Sequence, residues 1–188
     1  MTVVESAILF AVNAHAGMKR KGKERPYILH PVEVMTIVAG LTEDEAVIAA
    51  AVLHDTVEDT DASREDIEAA FGPRIADLVA AESEDKREEL PAEATWQIRK
   101  QETLDHLAKA SREIKLICLG DKLSNIREIA RDYAALGDEL WQRFNQKDKA
   151  KHTWYYGSIL QILEREFGEV PAIKEYRSLL EQVFCSAQ

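Results

Sequence analysis

The stretch AAAVLHDTVEDTD, Ala49 to Asp61, sets His54, Asp55, Glu58, Asp59 and Asp61 within eight residues, directly behind an apolar run. On a helix His54 and Glu58 stand four residues apart, as do Asp55 and Asp59, while Asp55 and Glu58 stand three apart. Four ionisable groups therefore share adjoining rows over one turn. Three of the four are acids. Like charges at that spacing repel by roughly a few tenths of a kcal/mol per pair when exposed, and burying one unpaired costs far more. A divalent cation removes the conflict, because it favours deprotonated carboxylate and neutral imidazole. The stretch alone leaves a solvated acidic helix end as the alternative.

Two further residues bear on that choice. His30 directly precedes Pro31, and taken alone it suits a structural histidine as well as a ligand. Asp121, in LICLGDKLSN, follows the apolar run Leu116 to Leu119 in what reads as a core helix, where an unpaired carboxylate is hard to accommodate. Gly120 beside it leaves room for another group to approach, or for a close helix crossing. His30, His54, Asp55 and Asp121 together offer two nitrogens and two oxygens. That set suits Mn²⁺, Fe²⁺ or Zn²⁺ better than an all-oxygen Mg²⁺ or Ca²⁺ site, and leaves positions for water and substrate. The chemistry implied is metal-assisted hydrolysis, with Glu58 and Asp59 beside the ligands to orient or deprotonate a water and return the proton to the leaving oxygen. The basic run KRKGKER, Lys19 to Arg25, lies a few residues before His30. Its Arg20 and Lys21 can offset the charge of a phosphorylated substrate, the alternative being a solvated loop.

Helices must position these groups. Eight Gly and five Pro are few for 188 residues, and apolar residues recur at helical spacing almost throughout, so the class is all-α. The length suits one domain, 1–188, and no Pro/Gly/Ser-rich linker divides it. The spacing predicts a helix over about Val3 to His15. A second starts at Pro31 with Val32, Met35, Val38 and Ala39 on one face, so that His30 precedes or caps it. Thr42 and Glu45 suggest a capping box opening a third, which runs on through His54 and Asp55. Ser63 is expected to cap the next, with Asp66 three residues on and Gly72 as its stop. Pro73 restarts a helix to about Ser83, and Pro91 opens another to about Ala110. Ser111 caps a long helix interrupted only by Gly120 and closed by Gly137. Stretches of roughly Gln146–Phe167 and Pro171–Phe184 complete the set.

Composition excludes several classes. A net charge of −10 disfavours a nucleic-acid binder, whose affinity comes from clustered Lys and Arg. No segment approaches the roughly 18 apolar residues of a transmembrane helix, and the N-terminus lacks the basic-then-apolar order of a signal peptide. The two cysteines, Cys118 and Cys185, form no recognisable framework, so a reduced, cytoplasmic setting is expected.

The order His30, His54-Asp55, Asp121 resembles the H…HD…D signature of the HD-domain metal-dependent phosphohydrolases. The longer texts RKGKERPYILHP, AAAVLHDTVEDTD, FGPRIADLV and LGDKLSN are similar to the hydrolase domain of RelA/SpoT proteins and the small alarmone hydrolases of the metazoan SpoT-homologue type. The likeness spans about Ala7 to Leu163, with the helix at about 171–184 beyond it. It implies a single HD-domain helical bundle, one Mn²⁺, and removal of the 3′-pyrophosphate from guanosine 3′,5′-bis(pyrophosphate) or its pentaphosphate relative. His30, His54, Asp55 and Asp121 match the family's metal ligands, and Glu58 and Asp59 the pair associated with the attacking water. Arg20 and Lys21 match the pair beside the nucleotide, and Asn125 the Asn near the ribose. Lys86 corresponds to the lysine after the family's VTDD segment, although the text here reads AESEDK. The family's late tyrosine has two candidates, Tyr155 and Tyr156. On this reading the chain is the hydrolase half alone, taking a small guanine nucleotide, with the oligomeric state open. Two other functions share the same features: an HD phosphohydrolase acting on a deoxynucleotide or NADPH, and a non-catalytic metal- or nucleotide-binding sensor. The intact acid pair Glu58 and Asp59 disfavours the sensor.

Overall fold

A computed structural model describes residues 1–81 and 91–185. Lys86 lies outside the described residues, and so does the expected end of a helix at Ser83. Among the described residues every regular element is helical, apart from one isolated antiparallel bridge between Lys19 and Pro26. The all-α reading holds. The chain divides into two compact units, Met1–Ser83 with Ser111–Asp121, and Glu84–Ala110 with Lys122–Gln188.

The first unit is built around its third helix. Helices α1 (Val3–Ala14), α2 (Leu29–Ala39) and α3 (Glu45–Leu53) precede a single turn, α4 (Thr56–Asp59), and the pair α5 (Arg64–Phe71) and α6 (Pro73–Ala80). Val47 and all five residues Ala49 to Leu53 are buried, so α3 is covered all round. It packs against α1, α2 and α6, and its alanines let those neighbours come close. Capping follows the sequence at Ser63, whose side chain meets the Asp66 backbone while the Asp66 carboxylate returns to Ser63, a reciprocal box. Gly72, at φ 84°, ends α5 and hands over to Pro73 at the start of α6. A second box, Thr2 with Glu5, opens α1.

Several expectations are corrected. α3 is capped by Asp44, whose carboxylate accepts from Ala46 N at 3.0 Å; Thr42 Oγ1 instead accepts from Asp44 N at 3.2 Å, two residues too early to cap. α3 stops at Leu53, and His54 and Asp55 form the joint before α4. α2 begins at Leu29, which places His30 inside its first turn. Its buried row is His30, Val34 and Val38 at four-residue spacing with Pro31, whereas Val32 and Met35 are half-buried and Ala39 exposed. The long helix α8 (Arg112–Leu136) passes through Gly120 unbroken, with Ser111 Oγ accepting from Ile114 N at 3.3 Å.

The second unit contains α7 (Ala92–Lys109), the part of α8 from Lys122, α9 (Lys149–Phe167) and α10 (Pro171–Leu180), with α9 packed against both α7 and α10. α9 starts three residues later than the periodicity suggested, because Asp148 caps it. α10 passes into a π-helical turn, Glu181–Cys185. The core of this unit is aromatic: Trp141 stacks on His152 with ring centroids 5.1 Å apart, and Trp96 meets the His152 edge at 5.6 Å.

Candidate functional site

His30, His54, Asp55 and Asp121 meet inside the first unit, delivered by three separate pieces of backbone. His30 comes from the first turn of α2, where its N–H donates to Tyr27 O at 2.9 Å. His54 and Asp55 occupy the joint after α3. Asp121 comes from α8, one residue after a crossing with α2 that Gly120 makes possible. A Cβ on Gly120 would stand 2.8 Å from Val38 Cγ2 and 3.1 Å from both Val34 Cγ1 and Val34 O. Glycine therefore serves the close crossing, and the crossing puts Asp121 Oδ1 3.1 Å from His30 Nε2.

His30, His54 and Asp121 are buried, and each offers a ligand atom within 4.8 Å of the others. Asp55 Oδ2 lies 3.1 Å from His54 Nε2 and 3.5 Å from His30 Nε2. The donor chemistry fits a metal ion. His54 Nδ1 stands 2.9 Å from Ala51 O, and since a carbonyl only accepts, Nδ1 carries the hydrogen. In the neutral ring Nε2 is then a lone pair. It is buried, makes no hydrogen bond among the described residues, and faces the oxygens of Asp55 at 3.1 Å and Asp121 at 3.7 Å. Three acceptors aimed at one another need a cation between them.

The titration behaviour points the same way. Burial opposes charging His54, yet Asp55 and Asp121 outweigh it and raise its pKa well above 6.5. Burial would likewise push Asp55 up, but the imidazoles of His54 and His30 hold its carboxyl below the usual range. The pocket thus favours positive charge at Nε2, which a proton or a metal ion can supply.

Glu58 and Asp59 lie on α4, both half-buried. Asp59 N donates to Asp55 O at 2.9 Å, so the expected four-residue spacing between Asp55 and Asp59 survives the joint. Arg20 and Lys21 belong to a turn closed by the Lys19–Pro26 bridge and by Arg20 N donating to Arg25 O at 3.0 Å, with Gly22 at φ 74°. The Arg20 guanidinium lies 5.4 Å from the centre of the Tyr27 ring, and Lys21 is exposed. Asn125 is half-buried on α8 one turn after Asp121, and Tyr155 and Tyr156 are buried on α9; all three belong to the second unit.

Two residues beside the site escaped sequence reasoning. The Tyr27 hydroxyl reaches Asp55 Oδ2 at 2.7 Å and Asp59 Oδ2 at 2.8 Å, and burial followed by these two acids raises its pKa far above 10. His15, at the end of α1, is buried against the Tyr27 ring with centroids 5.0 Å apart; neither ring nitrogen has a hydrogen-bond partner among the described residues. Burial lowers the His15 pKa. Both residues reach the site through a loop and a helix end, so no helical spacing links them to the acids; only the position of Tyr27 three residues before His30 hinted at it.

Comparison with known proteins finds similarity in family, sequence and fold. Residues 7–149 match the family model described as HD domain. The chain is 43% identical over 123 residues to the guanosine-3′,5′-bis(diphosphate) 3′-pyrophosphohydrolase MESH1 of Drosophila melanogaster, covering 64% of this chain and 65% of the fly protein. It is 38% identical over 132 residues to the MESH1 of Danio rerio, covering 69% of this chain and 70% of that protein. The solved structure of a metazoan orthologue of SpoT, described as hydrolysing ppGpp and playing a role in starvation responses, aligns with TM-score 0.72 and 30% identity, over 97% of this chain and 96% of its own.

Proposed function

The chain belongs to the HD-domain family, and from that membership we propose that it hydrolyses guanosine 3′,5′-bis(pyrophosphate), ppGpp, to GDP and pyrophosphate, and the pentaphosphate to GTP and pyrophosphate. The observation that carries the reading is the buried group His30, His54 and Asp121, in which His54 Nε2 makes no hydrogen bond among the described residues, in a chain whose relatives are named for this reaction. Family membership implies a divalent metal ion. Mn²⁺ suits the mixed nitrogen and oxygen donors, with Asp55 as the fourth ligand. Such an ion acidifies water and offsets negative charge on phosphate.

The remaining work falls to the chain's own side chains. Asp59 and Glu58 take a proton from the attacking water as it bonds to the phosphorus on the 3′ oxygen; the phosphorus–oxygen bond breaks and the proton passes to the ribose 3′ oxygen. Arg20 can stack on the guanine while Lys21 meets phosphate as a point charge, countering repulsion by a chain of net charge −10. Lys86 and Asn125 are the further candidates for substrate contact.

The test offers the Mn²⁺-loaded protein ppGpp, deoxynucleoside triphosphates and NADPH in parallel. Pyrophosphate and GDP from ppGpp, with little turnover of the others, are expected; preferential turnover of another nucleotide would reassign the substrate. Glu58→Gln should keep its metal while kcat falls roughly 10²- to 10⁴-fold. Loss of metal in that variant would make Glu58 a ligand, and full activity would return it to the surface.

A further inference from the structure

The Tyr27 hydroxyl touches two carboxylates at once, Asp55 Oδ2 at 2.7 Å and Asp59 Oδ2 at 2.8 Å. An O–H carries one proton, so the two acids share it. They stand four residues apart on one helical row, where like charges repel. The shared proton holds together what electrostatics would push apart.

Tyr27 is itself held from several sides. Its N–H donates to Met18 O at 2.9 Å, its carbonyl accepts from His30 N at 2.9 Å, and its ring centre lies 5.0 Å from that of the buried His15 imidazole and 5.4 Å from the Arg20 guanidinium. A side chain so packed has little freedom to swing, and its oxygen is a fixed point between the two acids. Asp59, by contrast, is half-buried on a helix of one turn, an element with little rigidity of its own.

We propose that Tyr27 is a positioning residue for the hydrolytic step: its hydroxyl fixes the Asp59 carboxylate in register with Asp55, and its ring is the platform on which Arg20 presents the nucleotide-binding loop. The proposal rests on the hydrolase reading above and goes beyond it. It ties three roles, metal ligand, water-handling acid and nucleotide contact, to one side chain, and it assigns different parts of that side chain to different kinetic constants. The hydroxyl serves kcat through Asp59 and metal affinity through Asp55. The ring serves KM through Arg20.

The test compares Tyr27→Phe, which removes one oxygen, with Tyr27→Leu, which also removes the ring. Tyr27→Phe should weaken Mn²⁺ binding, read by calorimetric titration of the metal-free protein, about tenfold, the loss typical of a group that orients a ligand. At saturating Mn²⁺ its kcat on ppGpp should still be lower by about 10- to 100-fold, with KM within about threefold of wild type. Tyr27→Leu should in addition raise KM. Asp59→Asn combined with Tyr27→Phe should be no slower than Asp59→Asn alone, because Asp59→Asn already removes the basic carboxylate that the hydroxyl positions. Wild-type kcat in Tyr27→Phe at saturating metal, or losses that multiply in the double variant, would overturn the proposal. Should the wild-type protein leave ppGpp intact, the substrate reading fails alone, and the metal titration decides this one. A tenfold weaker Kd in Tyr27→Phe then supports the hydroxyl's hold on Asp55, and an unchanged Kd refutes it.

Discussion

Gly120→Ala adds one methyl group, and the structure predicts that it harms metal binding more than folding. The new Cβ would lie 2.8 Å from Val38 Cγ2 and 3.1 Å from Val34 Cγ1 and Val34 O. Carbon atoms pack best at about 3.5–4.0 Å, so α2 and α8 must separate by roughly 0.5–1 Å. The valines are fully buried and one of the obstructing atoms is backbone, which leaves no side chain free to yield. Alanine in place of glycine gains about 1 kcal/mol of helix propensity, against roughly 1–3 kcal/mol for overpacking. The net cost to stability should therefore be at most about 2 kcal/mol.

The site is less forgiving. Asp121 follows Gly120 on α8, and His30 sits one turn before Val34 on α2, with Nε2 and Oδ1 3.1 Å apart. Metal–ligand distances tolerate about 0.2 Å, so a separation of about 0.5 Å should lower metal affinity tenfold or more. Urea denaturation of the metal-free protein measures the first effect and calorimetric Mn²⁺ titration the second. Val38→Ala removes the atom that clashes most closely but leaves Val34 Cγ1 and Val34 O at 3.1 Å, so Gly120→Ala should cost less metal affinity in a Val38→Ala background than in the wild type, a partial rescue. Wild-type affinity in Gly120→Ala, or no rescue in the double variant, would show that this crossing does not set the site.

Two further outcomes are expected. Chelation of the metal should lower the thermal midpoint of the wild-type protein, since an ion at a hundred times its Kd adds about 2.7 kcal/mol; Asp121→Ala should show no such drop, and equal metal content in that variant by elemental analysis would remove Asp121 from the ligand set. His15 is buried with both nitrogens unbonded among the described residues, and burial lowers its pKa. Below the ordinary imidazole value of 6.5 the unfolded chain therefore takes a proton that the folded chain resists, and stability falls as pH drops through that region. His15→Leu should reduce that loss between pH 7.5 and 5.5 and cost less than about 1 kcal/mol at pH 7.5. Urea midpoints at the two pH values check this, and a cost above about 2 kcal/mol would mean that the imidazole makes a bond worth keeping.

Much of the fold was legible because its signals are local. Ser63 with Asp66, Gly72 before Pro73, Ser111 and Pro91 each mark a helix end with their own chemistry, and the structure uses all four. The misreadings arose where two local signals compete. Thr42 and Asp44 are both good caps two residues apart, and only the start of packing at α3 decides between them. The buried face of α2 was misjudged because nearly every residue there is apolar, and the neighbour that selects His30, Val34 and Val38 is a helix 80 residues further on. The four proposed ligands could be read from their types, since two histidines and two acids after apolar runs are costly without a cation. Tyr27 could not, because a phenol near a histidine costs nothing until a loop closure aims its hydroxyl at two acids.

The break at His54 and Asp55 shows why the site departs from helical regularity. Had α3 continued unbroken, His54 would be one more member of a helix buried on all sides. Instead the last turn opens, Ala51 O takes the Nδ1 hydrogen of His54, and the ring is held with Nε2 towards Asp55 and Asp121. The same opening restarts the chain as α4, whose last two residues are Glu58 and Asp59. One joint thus supplies a nitrogen, an oxygen and the acid pair from six consecutive residues, while His30 and Asp121 arrive on the two helices that cross at Gly120. Local order is given up at the joint and regained from α2 and α8, as expected where a site is built into a core rather than laid upon it.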